Sequence, residues 1–346
     1  MTKRKVLFIT EYLNPPYDEG IKKTAFNIYT ELNHKYDLKV ICRYGFKEEN
    51  IFAINCNPLF LSRNIRKIIS DFNPLVIIYL PFASSTFAGY LRLRVLRFFA
   101  QNAKMIFIAL QPKPLKKWQK LSVNFLKPQY ALTPSPSLQK FWESYNINSR
   151  LLPLITDLSV FKPLEMAEQK LDLRKKYNIP INAYLISHMG HINEGRNLES
   201  LILLQRSGYL VMIVGSSSTP KDALGPKDLK SKLEKEGIVV LDKFIELIEE
   251  IYQMSDLYIF PVLAPNSSIG MPLSILEARA CGIPVLTTNF GSISAFMGDD
   301  NGGIIYSTPK RFSEAVKSIE KRDYTNSNVE DLNKKFYNIL FEIIEN

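Results

Sequence analysis

Cysteine, histidine and tryptophan are scarce in this sequence of 346 residues, which contains only 3, 3 and 2 of them. The three cysteines, Cys42, Cys56 and Cys281, are widely spaced and odd in number. Such spacing indicates neither a disulfide framework nor a cysteine metal site. A reducing, cytosolic compartment is the simplest interpretation.

Long apolar stretches are also missing. The longest uncharged stretch, residues 72–91, contains two prolines and two adjacent serines. It is therefore better explained as a buried strand, a loop and the start of a helix than as a membrane span. Near the N-terminus, the apolar segment 6–10 is too short for a signal peptide, and no small-residue cleavage site follows it. The sequence predicts a cytoplasmic protein.

Acidic residues are absent from residues 72–142, a region that holds ten basic ones. These are Arg92, Arg94, Arg97, Lys104, Lys113, Lys116, Lys117, Lys120, Lys127 and Lys140. The whole chain has 44 basic and 34 acidic residues, so this region accounts for the entire net charge of +10. Such a surface attracts an anionic membrane, a phosphorylated substrate or nucleic acid. No nucleic-acid recognition motif accompanies the charge, so we expect no nucleic-acid partner.

The remaining composition is that of a globular protein, with 46% hydrophobic residues and enough length for about two domains. Short apolar runs recur at residues 6–10, 37–41, 75–80, 105–110, 130–133 and 151–154, and again at 184–187, 210–215, 238–241, 257–262, 285–288 and 303–306. Near-continuous apolar runs are typical of parallel strands covered by helices on both faces. Six strands, a break near residues 153–163 and six more predict two doubly wound α/β domains. Apolar spacing over 329–344 predicts a final amphipathic helix.

Residues 266–288 form the most informative local pattern. Adjacent serines and Gly270 allow a tight turn after an apolar strand, and the segment from Pro272 is typical of a helix start. Free backbone N–H groups at a helix start would suit a diphosphate. Glu277, on that helix, could accept hydrogen bonds from two ribose hydroxyls. The alternative is a surface loop whose glycine and proline only make turns, and the loop alone does not decide between the two.

Residues 272–285 resemble the donor-site helix of family-4 retaining glycosyltransferases (glycosyl transferases group 1), which have the GT-B fold. Residues 15–23, 154–163, 190–196 and 255–261 resemble other segments of that family, in the same order. Each segment is a weak signal alone, but the five together cover nearly the whole chain and make the resemblance specific.

The sequence departs from the family pattern at several positions. Ile269 stands where the family has a first glutamate, which touches the donor sugar. Gln111, after the fourth predicted strand, stands where the family has a histidine. His191 and Arg196 stand in place of the family's arginine and lysine. Arg196 keeps a permanent charge, whereas an unperturbed histidine is charged only below about pH 6.5.

The resemblance implies a GT-B fold, in which two Rossmann-like domains face a central cleft. Residues 1–160 would bind the acceptor, residues 161–324 would bind the nucleotide sugar, and the C-terminal helix 325–346 would pack back on the first domain. The implied reaction is retaining transfer from a UDP- or GDP-linked sugar to a glycan or lipid-linked acceptor, in cell-envelope polysaccharide or glycolipid synthesis, with no cofactor or obligatory metal. The implied site residues are Gln111, His191 and Arg196 in catalysis, and Gly20, Phe244, Ile245, Ser267, Ser268, Ile269, Gly270, Met271, Pro272 and Glu277 in donor binding.

Other interpretations remain open. The missing histidine and glutamate fit a catalytically inactive GT-B protein that acts as a binding or scaffold module. A nucleotide-sugar epimerase or a phosphorylase of related fold is a third interpretation. His188 and His191 form a His-x-x-His pair, but no third ligand has suitable spacing, so we expect no metal site.

Residues 113–127 combine apolar and basic positions. Five apolar residues can share one helical face, bordered by three lysines: Leu115, Trp118, Leu121, Phe125 and Leu126, with Lys116, Lys117 and Lys120. Such a helix could lie on anionic lipid, or it could pack on the core with a solvated basic edge. In the first alternative, the lipid-binding surface spans residues 92–127. It would attach the protein peripherally to the inner face of the cell membrane.

Overall fold

The computed structural model describes residues 3–46, 48–55, 57–215, 227–264, 267–298, 303–321, 324 and 327–346. Cys56, and Asn266 at the start of the segment 266–288, lie outside these ranges. Cys42 and Cys281 are buried free thiols. The chain forms two compact units, which we call unit 1 (Met1–Pro153 and Lys335–Asn346) and unit 2 (Leu154–Lys334).

Unit 1 alternates strands and helices. Its strands are β1 (Lys5–Thr10), β2 (Tyr12–Leu13), β3 (Asp37–Cys42), β4 (Tyr44–Gly45), β5 (Ile51–Ala53), β6 (Val76–Leu80), β7 (Lys104–Ile108), β8 (Tyr130–Thr133) and β9 (Asn148–Leu151). The helices between them are α1 (Gly20–Lys35), α2 (Arg63–Phe72), α3 (Phe87–Phe99), α4 (Lys117–Leu126) and α5 (Pro136–Glu143).

Seven of these strands form one parallel sheet in the order β5-β3-β1-β6-β7-β8-β9, and β2 pairs with β4 separately. Every residue of the central strand β6 is buried, as expected for a strand covered by helices on both faces. One face of the sheet supports a core to which α2, α3 and α5 contribute Ile65, Tyr90 and Trp142.

The strands predicted in unit 1 are confirmed with two corrections to the seven-stranded sheet, and the two-residue strands β2 and β4 were also not predicted. The three-residue strand β5 was not predicted and becomes the seventh strand of the sheet. The last strand is Asn148–Leu151 and not 151–154, because β9 is an edge strand placed by its backbone pairing with β8. Its residues are mostly polar and half-buried or exposed, so the apolar run that follows it gave a misleading signal.

Unit 2 repeats the alternation. Its strands are β10 (Leu185–Met189), β11 (Leu210–Val214), β12 (Val239–Leu241), β13 (Leu257–Phe260), β14 (Val285–Thr287) and β15 (Ile304–Tyr306). Its helices are α6 (Ala167–Lys176), α7 (Ile202–Arg206), α8 (Lys227–Lys235), α9 (Ile248–Met254), α10 (Leu273–Ala280), α11 (Ile293–Met297), α12 (Phe312–Ile319) and the start of α13 (Val329–Glu345).

The sheet of unit 2 is parallel, with the order β12-β11-β10-β13-β14-β15. The six strands predicted for this half are confirmed. The chain moves from β10 outward to β12 and then crosses back to β13, so the direction of winding reverses between β10 and β13. In open parallel sheets, ligands bind beyond the carboxyl ends of the two strands that flank such a reversal.

The final helix is confirmed as α13, and its residues from Lys335 onward belong to unit 1. Within unit 1, the two guanidinium nitrogens of Arg150 lie 2.8 and 3.2 Å from the carboxylate oxygens of Glu342. Phe341 packs edge-on against Tyr36. Among the described helices, none combines the length and the apolar character needed to cross a bilayer.

Candidate functional site

Arg196 brings a buried positive charge to the carboxyl ends of β10 and β13. It ends a short 3-10 helix, Glu194–Arg196, and only 7% of the residue is exposed. Its guanidinium carbon lies 5.7 Å from the ring centroid of Phe260, the last residue of β13. Gly190, the first residue after β10, has a φ of +145°, and a Cβ there would lie 2.6 Å from an Arg196 guanidinium nitrogen. A side chain at this position would therefore strain the backbone and press on the guanidinium group.

The loops that follow β10 and β13 touch each other. A Cβ at Gly195 would collide with the hydroxyl of Ser267. The side-chain amide of Asn197 donates a hydrogen bond of 3.1 Å to the carbonyl of Pro261. The structure thus places Ser267 against Gly195, the residue before Arg196, at the reversal point of the sheet.

The Gly270 carbonyl is fixed from behind by the loop after β14. It accepts hydrogen bonds from the backbone N–H of Ser292 at 2.8 Å and from the Ser292 hydroxyl at 3.0 Å. Gly291, with a φ of +60°, comes so close that a Cβ there would overlap the Gly270 carbonyl oxygen. The predicted donor residues Ile269 and Met271 have buried side chains. This loop therefore presents its backbone and Ser268, and Pro272 caps the start of α10.

Glu277 lies on α10 with 4% of its surface exposed. Its carboxylate accepts a hydrogen bond of 2.8 Å from the hydroxyl of Tyr252, a fully buried residue of α9. Burial, and then the negative charge of Glu277, raise the pKa of Tyr252 well above its ordinary value. Tyr252 therefore stays protonated and holds the orientation of the carboxylate. Sequence analysis missed Tyr252, because no local pattern links residues 25 positions apart.

The two histidines of the His-x-x-His pair have different environments. His188 lies inside β10, is fully buried, and its Nδ1 lies 2.9 Å from the carbonyl of Ile259. That distance assigns the proton to Nδ1, which donates to the carbonyl. Burial, and then the charge of Arg196, lower the pKa of His188 to about 3. His191 lies beyond the strand in the loop and is half-buried. In the part of the chain that the structure describes, no three His, Cys, Asp or Glu side chains form a group that could hold a metal ion.

We expect acidification to destabilise the protein through His188. The unfolded chain binds a proton near pH 6.5, whereas folded His188 does not until about pH 3. The contribution of His188 to the free energy of unfolding is therefore complete above the pKa of the unfolded chain. It declines as the pH falls toward 3, by about 1.4 kcal/mol per pH unit once the pH is below about 6. Urea unfolding from pH 7 to 4.5 should show a shallower pH slope in His188→Asn than in the wild type, by close to one proton. The exposed His34 provides the control His34→Asn, and equal slopes in all three proteins would contradict the assignment.

Phe244 and Ile245 follow β12, two strands away from β10. Phe244 is half exposed and Ile245 is partly buried. A Cβ at Gly215, after β11, would lie 3.1 Å from both the Asp242 carboxylate and the Ile192 side chain. The loops after β10, β11 and β12 thus lie side by side along the same edge of the sheet.

The predicted site residues of unit 1, Gly20 and Gln111, also follow strand ends. Gly20 is the first residue of α1, and Gln111 lies just beyond β7. The buried hydroxyls of Ser84 and Ser85 each donate to the Gln111 carbonyl at 2.8 Å. The Lys113 ammonium donates to the side-chain oxygen of Gln111 at 2.9 Å. Gln111 therefore has a rigid backbone and a neighbouring positive charge, neither of which is evident from the sequence.

A partly buried ion pair at the same edge of unit 1 was also missed. Arg92 on α3 lies 2.8 Å from the carboxylate of Glu11, which directly follows β1. The backbone N–H of Phe82 donates to the same carboxylate at 2.6 Å. Burial raises the pKa of Glu11, and the Phe82 N–H and the Arg92 charge oppose that rise. The two partners are 81 residues apart, so no sequence motif connects them.

Two doubly wound parallel sheets, with an arginine and a glycine-containing loop at the reversal of the second, are the architecture of the GT-B glycosyltransferases. The family model described as Glycosyl transferases group 1 matches residues 196–321, which confirms the resemblance to that family over this part of the chain. The solved structure of Anabaena Alr3699/HepE in complex with UDP and glucose has a TM-score of 0.75 to this chain, with 14% sequence identity. The match covers 99% of this chain and 98% of that chain. This likeness confirms the predicted fold class.

Two curated relatives are similar over about half of the chain. TuaC of Bacillus subtilis, whose name assigns it to teichuronic acid biosynthesis, is 25% identical over 182 residues, which cover 51% of this chain and 42% of that protein. A D-inositol 3-phosphate glycosyltransferase of Corynebacterium urealyticum is 24% identical over 201 residues, which cover 52% of this chain and 46% of that protein. The chain thus spans less than half the length of these relatives.

Proposed function

We propose that this protein is a family-4 retaining glycosyltransferase of the cytoplasm. It moves a sugar from a UDP- or GDP-linked donor to a glycan or lipid-linked acceptor, in the synthesis of a cell-envelope polysaccharide or glycolipid. The observation that carries the proposal is the meeting of Arg196, the loop 267–272 and α10 at the reversal point of the unit 2 sheet. Two further findings support it: HepE was solved with UDP-glucose, and the name of TuaC refers to teichuronic acid biosynthesis.

The donor diphosphate would lie between Arg196 and the start of α10. The first N–H groups of a helix and its dipole favour an anion, and Pro272, at the N-cap, makes no side-chain capping bond to them. The nucleoside ribose would lie toward Glu277, whose carboxylate Tyr252 already orients. Phe244 and Ile245, farther along the same edge, would line the region of the base.

In the reaction, the bond between the anomeric carbon and the diphosphate oxygen breaks, and the acceptor hydroxyl oxygen forms its bond on the same face of the sugar. The proton of that hydroxyl passes to the departing diphosphate. The departing diphosphate gains negative charge. A buried guanidinium stabilises that charge strongly, because the surroundings are poor in water and the group is already in place. Arg196, His191 and the N–H groups of loop 267–272 supply this stabilisation, so the proposal includes no obligatory metal or cofactor.

Thermal unfolding with UDP-, GDP- and ADP-sugars is the first test. A ligand that binds the folded protein at 100 times its dissociation constant adds about 2.7 kcal/mol of stability. We expect one nucleotide class to raise the melting temperature by several degrees, and the same class to release nucleotide when an acceptor is added. No shift with any donor would contradict the proposal.

The alternative is a catalytically inactive protein of the same fold. The observation that favours it is Ile269, a buried apolar residue where the family has a glutamate. Donor binding without nucleotide release, across a panel of glycan and lipid-linked acceptors, would select this alternative.

We expect His191 to make turnover depend on pH. A protonated imidazole near the departing diphosphate should help, so kcat should fall as the pH rises from 6 to 9. His191→Gln should remove this dependence and turn over about tenfold more slowly at pH 6, a difference of about 1.4 kcal/mol. His34→Gln, at the exposed end of α1, should leave the profile unchanged. A flat profile for the wild type would show that His191 acts only as a neutral side chain.

A further inference from the structure

The outer face of α4 exposes three large apolar side chains. Trp118, Leu121 and Phe125 are 56%, 70% and 84% exposed, and their spacing of three and four residues places them on one face of the helix. The other face of α4 meets the core through Val123, which is fully buried.

Sequence analysis placed Leu115 and Leu126 on the same face as these three residues, and that placement is wrong. Both pack against the core of unit 1. Leu115 precedes the first residue of α4, and Leu126 is its last residue, so neither follows the helical spacing of the exposed face.

The neighbouring helix α3 also exposes a large apolar side chain. Phe98, near the end of α3, is 67% exposed. Phe87, at the start of α3, contacts Trp118 edge-on, with ring centroids 5.0 Å apart. We call Phe98, Trp118, Leu121 and Phe125 the apolar ridge.

A pocket of about 420 Å³ opens beside the apolar ridge. Phe125 forms part of its wall, and three cationic side chains line it: Arg94, Arg97 and Lys127. Asn146 and Asn148 add amide groups, and none of the described lining residues is acidic. A pocket of this size and charge is suited to a phosphate with hydroxyl groups beside it.

The charged side chains on or beside α4 and in the pocket are all basic. Lys116, Lys117 and Lys120 on or beside α4 are exposed, and Arg94, Arg97 and Lys127 line the pocket. A soluble anion would pair with these cations but leave the apolar ridge in water. A bilayer containing anionic lipid satisfies both, because headgroups attract the lysines and the interface accepts the aromatic and aliphatic side chains.

We infer that this face of unit 1 docks on an anionic phospholipid bilayer, with the apolar ridge in the interface and a headgroup phosphate in the Arg94–Arg97–Lys127 pocket. The inference goes beyond sugar transfer and does not depend on it, since docking requires neither donor nor acceptor. It gives a role to the basic residues on and beside α3 and α4, which lie outside the donor site.

Sedimentation with vesicles tests the docking directly. The full chain should bind vesicles containing phosphatidylglycerol at least tenfold more tightly than vesicles of phosphatidylcholine alone, and binding should weaken in high salt, which screens the lysines. Trp118 provides a second readout, because the other tryptophan, Trp142, is fully buried. Its emission should shift to the blue and resist acrylamide quenching on anionic vesicles only, and Trp118→Phe should abolish both changes.

Three sets of variants separate the contributions. Leu121→Ser with Phe125→Ser should reduce binding at least tenfold, as should Lys117→Glu with Lys120→Glu. Arg94→Gln with Arg97→Gln should weaken binding to vesicles containing phosphatidylglycerol more than it weakens binding to vesicles of neutral lipid. The preference for phosphatidylglycerol should therefore decrease. Matched controls in unit 2, Leu203→Ser and Lys317→Glu with Lys321→Glu, change exposed residues of the same types and should bind as the wild type does.

All the altered side chains except Arg97 are exposed, so circular dichroism and melting temperature should stay unchanged and isolate the effect on binding. Equal binding to neutral and anionic vesicles, binding to neither, or equal losses in the control variants would each overturn the inference. Binding of soluble glycerol phosphate at the pocket without any vesicle binding would also overturn it, and would assign the pocket to a soluble anion.

Discussion

Arg196→Ala is expected to lower kcat by about 100- to 1,000-fold. Losses of this size are found when an enzyme loses one preorganised hydrogen-bond donor that stabilises negative charge in the transition state. The guanidinium is buried against Phe260 and the Gly190 backbone, so it does not need to reorganise when the diphosphate departs. The affinity for a nucleoside without phosphates should change much less. Turnover is measured by nucleotide release, and the two affinities by calorimetry with nucleoside and nucleoside diphosphate.

Three further variants sharpen this experiment. Arg196→Lys keeps the charge but loses the planar group, and should recover only part of the rate. Gly190→Ala keeps the arginine but places a methyl group against it, and should also lower kcat. Arg206→Ala removes an exposed arginine of unit 2 that pairs with Glu236, and should have little effect. If Arg196→Ala reduced nucleoside affinity and turnover equally, Arg196 would be a structural residue and not a diphosphate ligand.

Glu277→Gln is expected to weaken nucleotide binding by roughly tenfold to a hundredfold, because hydrogen bonds to a charged group are worth roughly 1.5–3 kcal/mol. Tyr252→Phe, which removes the hydroxyl that orients the carboxylate, should have a smaller effect in the same direction. Calorimetry with the preferred nucleotide measures both, and the exposed Glu314→Gln is the control.

A double-mutant cycle with the ligand identifies the contact. The 2′-deoxy and 3′-deoxy nucleotides should bind the wild type less tightly than the ribonucleotide does, but should bind Glu277→Gln with almost the same affinity as the ribonucleotide. The difference between the two losses is the coupling between Glu277 and each hydroxyl. Additive losses would place Glu277 outside contact with the ribose, as a buried partner of Tyr252 alone.

The parallel strands could be predicted from sequence because burial on both faces demands apolar residues throughout, as in β6 and β10. Where burial is incomplete, that signal fails. The edge strand β9 was placed about three residues too late, since its own residues are partly polar and its position depends on pairing with β8. The three-residue strand β5 offers too short a run to stand out from a loop.

In the candidate site, individual residues could also be predicted from the sequence, whereas the contacts between them could not. Arg196 and Glu277 were named because they lie in continuous segments that resemble a family, and their roles stay predictions. The contacts that fix them arise between elements distant in sequence: Tyr252 with Glu277, Gly190 with Arg196, and Gly291 with Gly270. Such pairings depend on the packing of helices and loops on the sheet, which a single sequence does not reveal. The exposed side of α4 was ambiguous for the same reason until its neighbours were known.

The close approach of Gly291 to the Gly270 carbonyl has a consequence for protein engineering. A mutational library aimed at a new donor would lose most variants at position 291 to misfolding, because any side chain there meets the Gly270 backbone. The loop after β12 has no such restriction at Phe244, which is half exposed. Changes of specificity selected from such a library should therefore accumulate at Phe244 and Ile245, while Gly291 persists unchanged.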